Sequence, residues 1–201
     1  MSEWDCSVSD MGRIFFDTAT SMNGFIADAD HSLQWLFDVP QEPSGPSEKD
    51  EWADSPMAEA AAIVMGSTTY EWLLAHENIR ESPGRWTELF GNKPVHVFST
   101  RTLWVPPESA VRVVTGHVSD ELDRMRDAAG DGDIWLVGGG DLVGQFFDAG
   151  ALDAIYLTVA PVVLAGGAPL LPRRIESDRL RLVGVRQDGQ FARLEYQVVG
   201  A

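Results

Sequence analysis

Two short stretches carry residue types that could do chemistry. The first is Val137-Gly138-Gly139-Gly140-Asp141-Leu142, preceded by the apolar run Ile134-Trp135-Leu136 and followed by apolar residues at 142, 143, 146 and 147. The run reads as a buried strand, and the later spacing puts its apolar residues on one helical face. Three glycines therefore stand where a strand hands over to a helix. With no side chains there, a ligand can approach the backbone, and the unpaired N–H groups of the first helical turn favour a negative group. That is the chemistry of a phosphate cradle, and it points to a nucleotide. A tight turn, with Asp141 as N-cap and Gly150 as C-cap, accounts for one glycine but not for three. The run is not GxGxxG, because position 143 is Val, and it lacks the Gly-Lys-Ser/Thr of a Walker loop.

The second stretch is Gly66-Ser67-Thr68-Thr69, after Ala62-Ile63-Val64-Met65 and before Tyr70, Leu73 and Leu74. Again a strand stops at a glycine and a helix N-terminus follows. Two such junctions in one chain could grip the two ends of one phosphorylated cofactor.

The elements that must position these junctions alternate along the chain. Ile14 to Ala19 reads as the first strand, running into a loop of small and turn-forming residues over 20–30 that stays close to the core. Residues 31–37 hold one helical turn, and 38–54 form an acidic, proline-containing surface loop. Ser55-Pro56 starts a helix over 57–61, since proline suits the first helical position. Strands follow at 62–65, 95–99 and 111–115, with a charged helix from Ser119 or Asp120 to Ala129 before the three-glycine stretch. A long strand starts at Ala154, reaches Pro161 and continues through Leu164. The tail differs: Arg179 to Arg186 and Phe191 to Val199 flank Asp188-Gly189, a hairpin signal. Alternation early and a hairpin late predict an α/β fold with a mixed, mostly parallel sheet flanked by helices and an antiparallel C-terminal hairpin. Residues 1–12 read as a flexible extension and 13–201 as a single domain.

Composition limits the partners. The chain has 201 residues, 44% hydrophobic, and a net charge of −16, which excludes a nucleic acid or an anionic membrane as partner. Lys49 and Lys93 are the only lysines among 15 basic residues, so a bound phosphate would meet backbone amides and arginines. A lone Cys6, no signal-peptide pattern and no membrane-length apolar run lead to the expectation of a cytoplasmic protein. His31, His76, His96 and His117 lack ligand spacing, and no metal is expected.

Four pieces taken in order resemble the dihydrofolate reductase-like fold: Ser21-Met22-Asn23-Gly24-Phe25-Ile26-Ala27, Val64-Met65-Gly66-Ser67-Thr68-Thr69-Tyr70-Glu71, Phe98-Ser99-Thr100-Arg101, and Val137-Gly138-Gly139-Gly140 with Tyr156-Leu157-Thr158 after it. Within that fold the chain is most similar to the reductase domain of the bifunctional riboflavin-biosynthesis deaminase-reductase and its stand-alone bacterial relatives. The resemblance implies an NADPH-dependent reductase, with NADH possible, acting by hydride transfer on 5-amino-6-(5-phosphoribosylamino)uracil or a similar pyrimidine- or pterin-like heterocycle. It also implies a homodimer. A nucleotide-binding protein of the same fold without turnover and a true dihydrofolate reductase are the alternatives.

Positions follow from the same resemblance. Ala19, Met22, Gly24 and Ile26 would lie at the nicotinamide. Gly66, Ser67, Thr68 and Thr69 would hold the pyrophosphate from one side and Val137, Gly138, Gly139, Gly140, Asp141 and Leu142 from the other. Ser99, Thr100 and Arg101 would meet the adenosine ribose and its 2′-phosphate, for which a guanidinium has the matching geometry. Asn23, Gln34, Trp35 and Tyr156 would lie near the substrate, and a proton would have to come from Asp28, Asp30 or Asp38, or from water. Ser67 stands where the family motif has arginine, and Asn23 where it commonly has aspartate.

Overall fold

The structure is a computed structural model that describes residues 12–40 and 56–200. The N-terminal extension with Cys6, the acidic loop over 41–54 and the Ser55 helix start lie outside the described residues.

β1 (Ile14–Ser21) is the centre of an eight-stranded sheet, and its first four residues are wholly buried. On one side it pairs in parallel with β6 (Ile134–Gly138), then β3 (Ala62–Gly66), β4 (Val95–Phe98) and β5 (Val111–Val114). On the other side it pairs in parallel with β7 (Ala154–Ala160). The antiparallel hairpin of β10 (Phe191–Val198) and β9 (Leu180–Asp188) completes the sheet beyond β7. The mixed, mostly parallel sheet and its antiparallel tail are those the sequence predicts.

Because side chains alternate across a strand, β1 sends Ile14 and Phe16 to one face and Phe15 and Asp17 to the other. The first face joins Val64, Ile134, Leu136 and Ile155 beneath α5 (Val118–Ala129) and α6 (Gly140–Asp148), which contribute Met125, Val143 and Phe146. The second face packs Ile63, Met65, Val95 and Val97 against Tyr70 and Leu74 of α3 (Ser67–His76) and Trp86 of α4 (Gly84–Phe90). Burial pushes the Tyr70 hydroxyl up to about 12, and it donates to the Trp104 carbonyl at 3.1 Å. Two further helices are short: α1 (Gln34–Phe37), the expected single turn, whose Phe37 stacks on His76 of α3 at 5.3 Å between ring centroids, and α2 (Pro56–Glu59).

Three elements differ from the sequence reading. Phe25–Ala27 is a short strand, β2, paired with β8 (Ala168–Pro169), where a loop was expected. The helix α4 opens at Gly84 directly after Pro83, residues that normally mark a break, and gives no strong apolar pattern over seven residues. β7 stops at Ala160, and the Val162 amide turns back to the Ala160 carbonyl instead of extending the strand.

Candidate functional site

A cavity of about 770 Å³ opens at the carboxyl ends of the parallel strands, where open α/β sheets bind ligands. The volume falls in the range of ligand pockets, ~300–1,000 Å³. Both strand-to-helix junctions line it. Gly66 and Gly139 are the N-cap residues of α3 and α6, both in extended backbone and neither with a capping side chain, so the first-turn N–H groups have no side-chain acceptor. The two junctions are adjacent: a methyl placed on Gly66 would lie 3.6 Å from the Gly139 amide nitrogen.

The three consecutive glycines have three different reasons. Gly138 has φ +137, a backbone conformation that residues with side chains rarely adopt. A methyl on Gly139 would meet nothing within 4 Å, so that backbone faces open space beside the cavity. A methyl on Gly140 would fall 2.3 Å from the Leu170 carbonyl oxygen and 2.4 Å from that of Pro169, so Gly140 is required for packing. The open Gly139 and the capless helix starts fit a phosphate-bearing dinucleotide. Ser67, Thr68, Thr69, Ser99, Thr100 and Thr115, all hydroxyl-bearing residues, also line the cavity.

Of the other expected cofactor contacts, Ala19, Ile26, Val137, Asp141 and Leu142 line the cavity. Asp141 is bound by Arg173 at 3.0 Å, and that bond, helped by Gln145, holds its carboxyl below the usual range. Met22, Gly24, Gly138, Gly140 and Arg101 are not among the lining residues. Arg101 donates from Nη2 to Glu71 at 2.7 Å and to Ser67 Oγ at 3.2 Å, so a carboxylate already occupies the guanidinium expected for a 2′-phosphate.

The expected proton donors and substrate contacts are placed elsewhere. Asp28 accepts the amides of Asp30 and Ser32 at 2.9 and 2.8 Å, closing a turn. Asp38 accepts the Gln34 amide at 2.8 Å one helical turn on, which accounts for both residues on an exposed surface. Neither carboxylate lines the cavity. Asn23 pins its loop to Leu164 through two hydrogen bonds of 2.7 and 3.0 Å. Trp35 is buried against Val39 and Ala160. Tyr156 sits edge-on to Phe15, with ring centroids 5.7 Å apart.

The cavity is also lined by residues without an assigned role in the sequence reading: Asp17, Thr158 and Arg193 on the sheet, together with Trp135, Trp72, Leu33, Leu36 and His31. Arg193 donates Nη1 to Asp17 Oδ1 at 2.9 Å and Nη2 to Asp17 Oδ2 at 2.5 Å. Nη1 also donates to Thr158 Oγ1 at 2.9 Å. Asp17 and Arg193 are 3% and 7% exposed, which makes this a buried ion pair at a cavity wall. The signal that could have found it is one aspartate inside the otherwise apolar opening of β1.

Residues 13–192 match the RibD C-terminal domain family. The chain is 27% identical over 179 residues to the uncharacterized protein YwjB of Bacillus subtilis, covering 89% of this chain and 93% of YwjB. It superposes with a TM-score of 0.70 and 25% identity on a Shewanella sp. PV-4 protein given a provisional place in riboflavin biosynthesis, over 92% of this chain and 98% of that one. The diaminohydroxyphosphoribosylaminopyrimidine deaminase/5-amino-6-(5-phosphoribosylamino)uracil reductase of Thermotoga maritima gives a TM-score of 0.59 at 15% identity, covering 94% of this chain and 57% of that one. The architecture is dihydrofolate reductase-like. The chain is a member of the RibD C-terminal domain family.

Proposed function

We propose that the cavity binds a nicotinamide dinucleotide, NADPH or NADH, and that the protein reduces a small molecule built on a planar heterocycle by direct hydride transfer, which in a ribosylamino-pyrimidine goes to the ribose and not to the ring. The substrate we propose is 5-amino-6-(5-phosphoribosylamino)uracil or a similar pyrimidine- or pterin-like molecule. The observation that carries this reading is the adjacency of the Gly66 and Gly139 junctions over one cavity. When bound, the nicotinamide supplies the hydride. The chain's own residues bind and orient: first-turn amides of α3 and α6 take the phosphates, and the apolar surfaces of Ile26, Leu33, Leu36 and Trp135 exclude water. Asp17 and Asp141 are tied to arginines. His31 is then the lining side chain, among the described residues, suited to pass a proton.

NADPH and NADH oxidation against a panel of pyrimidines and pteridines tests the reading. Turnover with at least one heterocycle supports it. Tight dinucleotide binding without turnover supports the second reading, a nucleotide-binding protein of the same fold. That reading is favoured by the absence, among the described lining residues, of a carboxylate not held by arginine.

We also propose a homodimer through the edge strand β9, which leaves Leu182, Val183 and Val185 more than half exposed. Replacing Val183 and Val185 by lysine is expected to give a monomer by sedimentation. No helix among the described residues is long and apolar enough to cross a membrane.

A further inference from the structure

We propose that Asp17, Arg193 and Thr158 together recognise the substrate, selecting an uncharged ring edge on which a hydrogen-bond donor neighbours an acceptor, as in a cyclic amide or ureide. The inference rests on the proposed reductase reading and adds the residues that choose the substrate.

The three side chains come from three neighbouring strands. Thr158 of β7 stands opposite Ala19 of β1 on one side and Arg193 of β10 on the other. Asp17 lies one step back on the same face of β1. The guanidinium crosses β7 with its Cζ 5.6 Å from the Tyr156 ring centroid to reach the carboxylate. Phe15, Trp135 and Met65 share this face, so an ion pair here interrupts an apolar layer.

Such a pair is a costly way to hold strands together, because well-packed apolar residues of similar volume do as well or better. Nor is a brace needed. β10 is already bonded to β7 from Ala154 to Val159, and β7 to β1 from Phe15 to Ser21. What distinguishes the pair from a core ion pair is that both partners and the hydroxyl line the cavity.

Asp17 accepts, Arg193 donates, and Thr158 can do either. A carboxylate takes up to about four hydrogen bonds, so holding Arg193 and binding a ligand are compatible. An anion placed against this wall would face Asp17, and a cation would face Arg193. A neutral edge with N–H beside C=O matches both. Trp135 also fixes the strand here, its Nε1 donating to the Asp17 carbonyl at 3.2 Å.

The test uses two fluorescent probes of one shape: lumazine, which carries ureide N–H groups, and 1,3-dimethyllumazine, in which they are methylated. Both are titrated into the full-length protein, into Thr158→Val, and into Asp17→Leu combined with Arg193→Met, which removes both charges together. NADPH and NADH are titrated into the same samples. The expected result is about tenfold preference for lumazine in the wild type, falling below about threefold in both variants with dinucleotide affinity held within about twofold. Equal affinity for the two probes, no binding of either, or a preference that survives in the variants would overturn the inference. A preference that depends on these residues in a protein that binds neither dinucleotide would uphold the recognition edge and remove the reductase reading.

Discussion

Arg193 reaches Asp17 across an intervening strand: the residues sit on β10 and β1, with β7 between them, and meet through two hydrogen bonds. Removing one partner leaves the other charge buried. Arg193→Met alone is expected to cost about 3–5 kcal/mol, a fall of roughly 10 °C in Tm for a chain of this size. The double variant Asp17→Leu/Arg193→Met is expected to recover most of that loss. Thermal unfolding followed by circular dichroism checks both, and an additive double variant would contradict the pairing.

The glycines at the junction that opens α6 separate by role. Gly140→Ala forces a methyl onto the backbone carbonyls at 169 and 170 and is expected to destabilise by about 1–3 kcal/mol. Gly139→Ala has an ordinary φ of −78° and no atom within 4 Å, so the fold should be indifferent to it. A methyl there should instead weaken dinucleotide binding by about tenfold, the size of one or two lost amide hydrogen bonds.

Glu71 competes for Arg101. The pair is exposed, 57% and 39% at the side chains, so its effect is small and screened by salt. Glu71→Gln should strengthen NADPH binding about two- to fivefold while leaving NADH nearly unchanged, with the gain fading at high salt. Fluorescence titrations at two ionic strengths read this directly. Equal effects on both cofactors would place Arg101 away from the 2′-phosphate.

His96 on β4 is 3% exposed, and its Nδ1 has no hydrogen-bond partner among the described residues. Burial, with Arg112 adding to it and Glu121 opposing, pushes its pKa below 6.5. The unfolded chain therefore takes the proton first. His96 contributes fully above about pH 6.5, and stability falls as the pH drops below that value, by about 1.4 kcal/mol for each unit of depression. Tm measured from pH 7.5 to 5 in wild type and His96→Gln checks it; the variant should lose part of the acid-side decline.

The parts of the site legible in the sequence are those written locally. Gly66 and Gly139 each stand between an apolar strand and a helix within a few residues, so the junctions could be read without knowing what lies beside them. The succession of strands along the chain and the turn at Asp188-Gly189 are legible for the same reason. The Asp17–Arg193 pair was not, because its members are 176 positions apart and only the register through β7 brings them together. Asp28 and Asp38 show the converse: aspartates near the expected loop invite a catalytic reading, while their hydrogen bonds assign them to a turn and a helix end. Gly140 was grouped with its neighbours by sequence, and only the approach of the chain at 169–170 shows its separate purpose.

The most direct measurement is equilibrium titration of the purified protein with NADPH and with NADH, following nicotinamide fluorescence, beside Gly139→Ala as a folded control. Saturable binding of at least one cofactor, weakened in the variant at unchanged Tm, is the expected result. Failure of both cofactors to bind, or binding that Gly139→Ala leaves intact, would contradict a dinucleotide seated at the paired junctions.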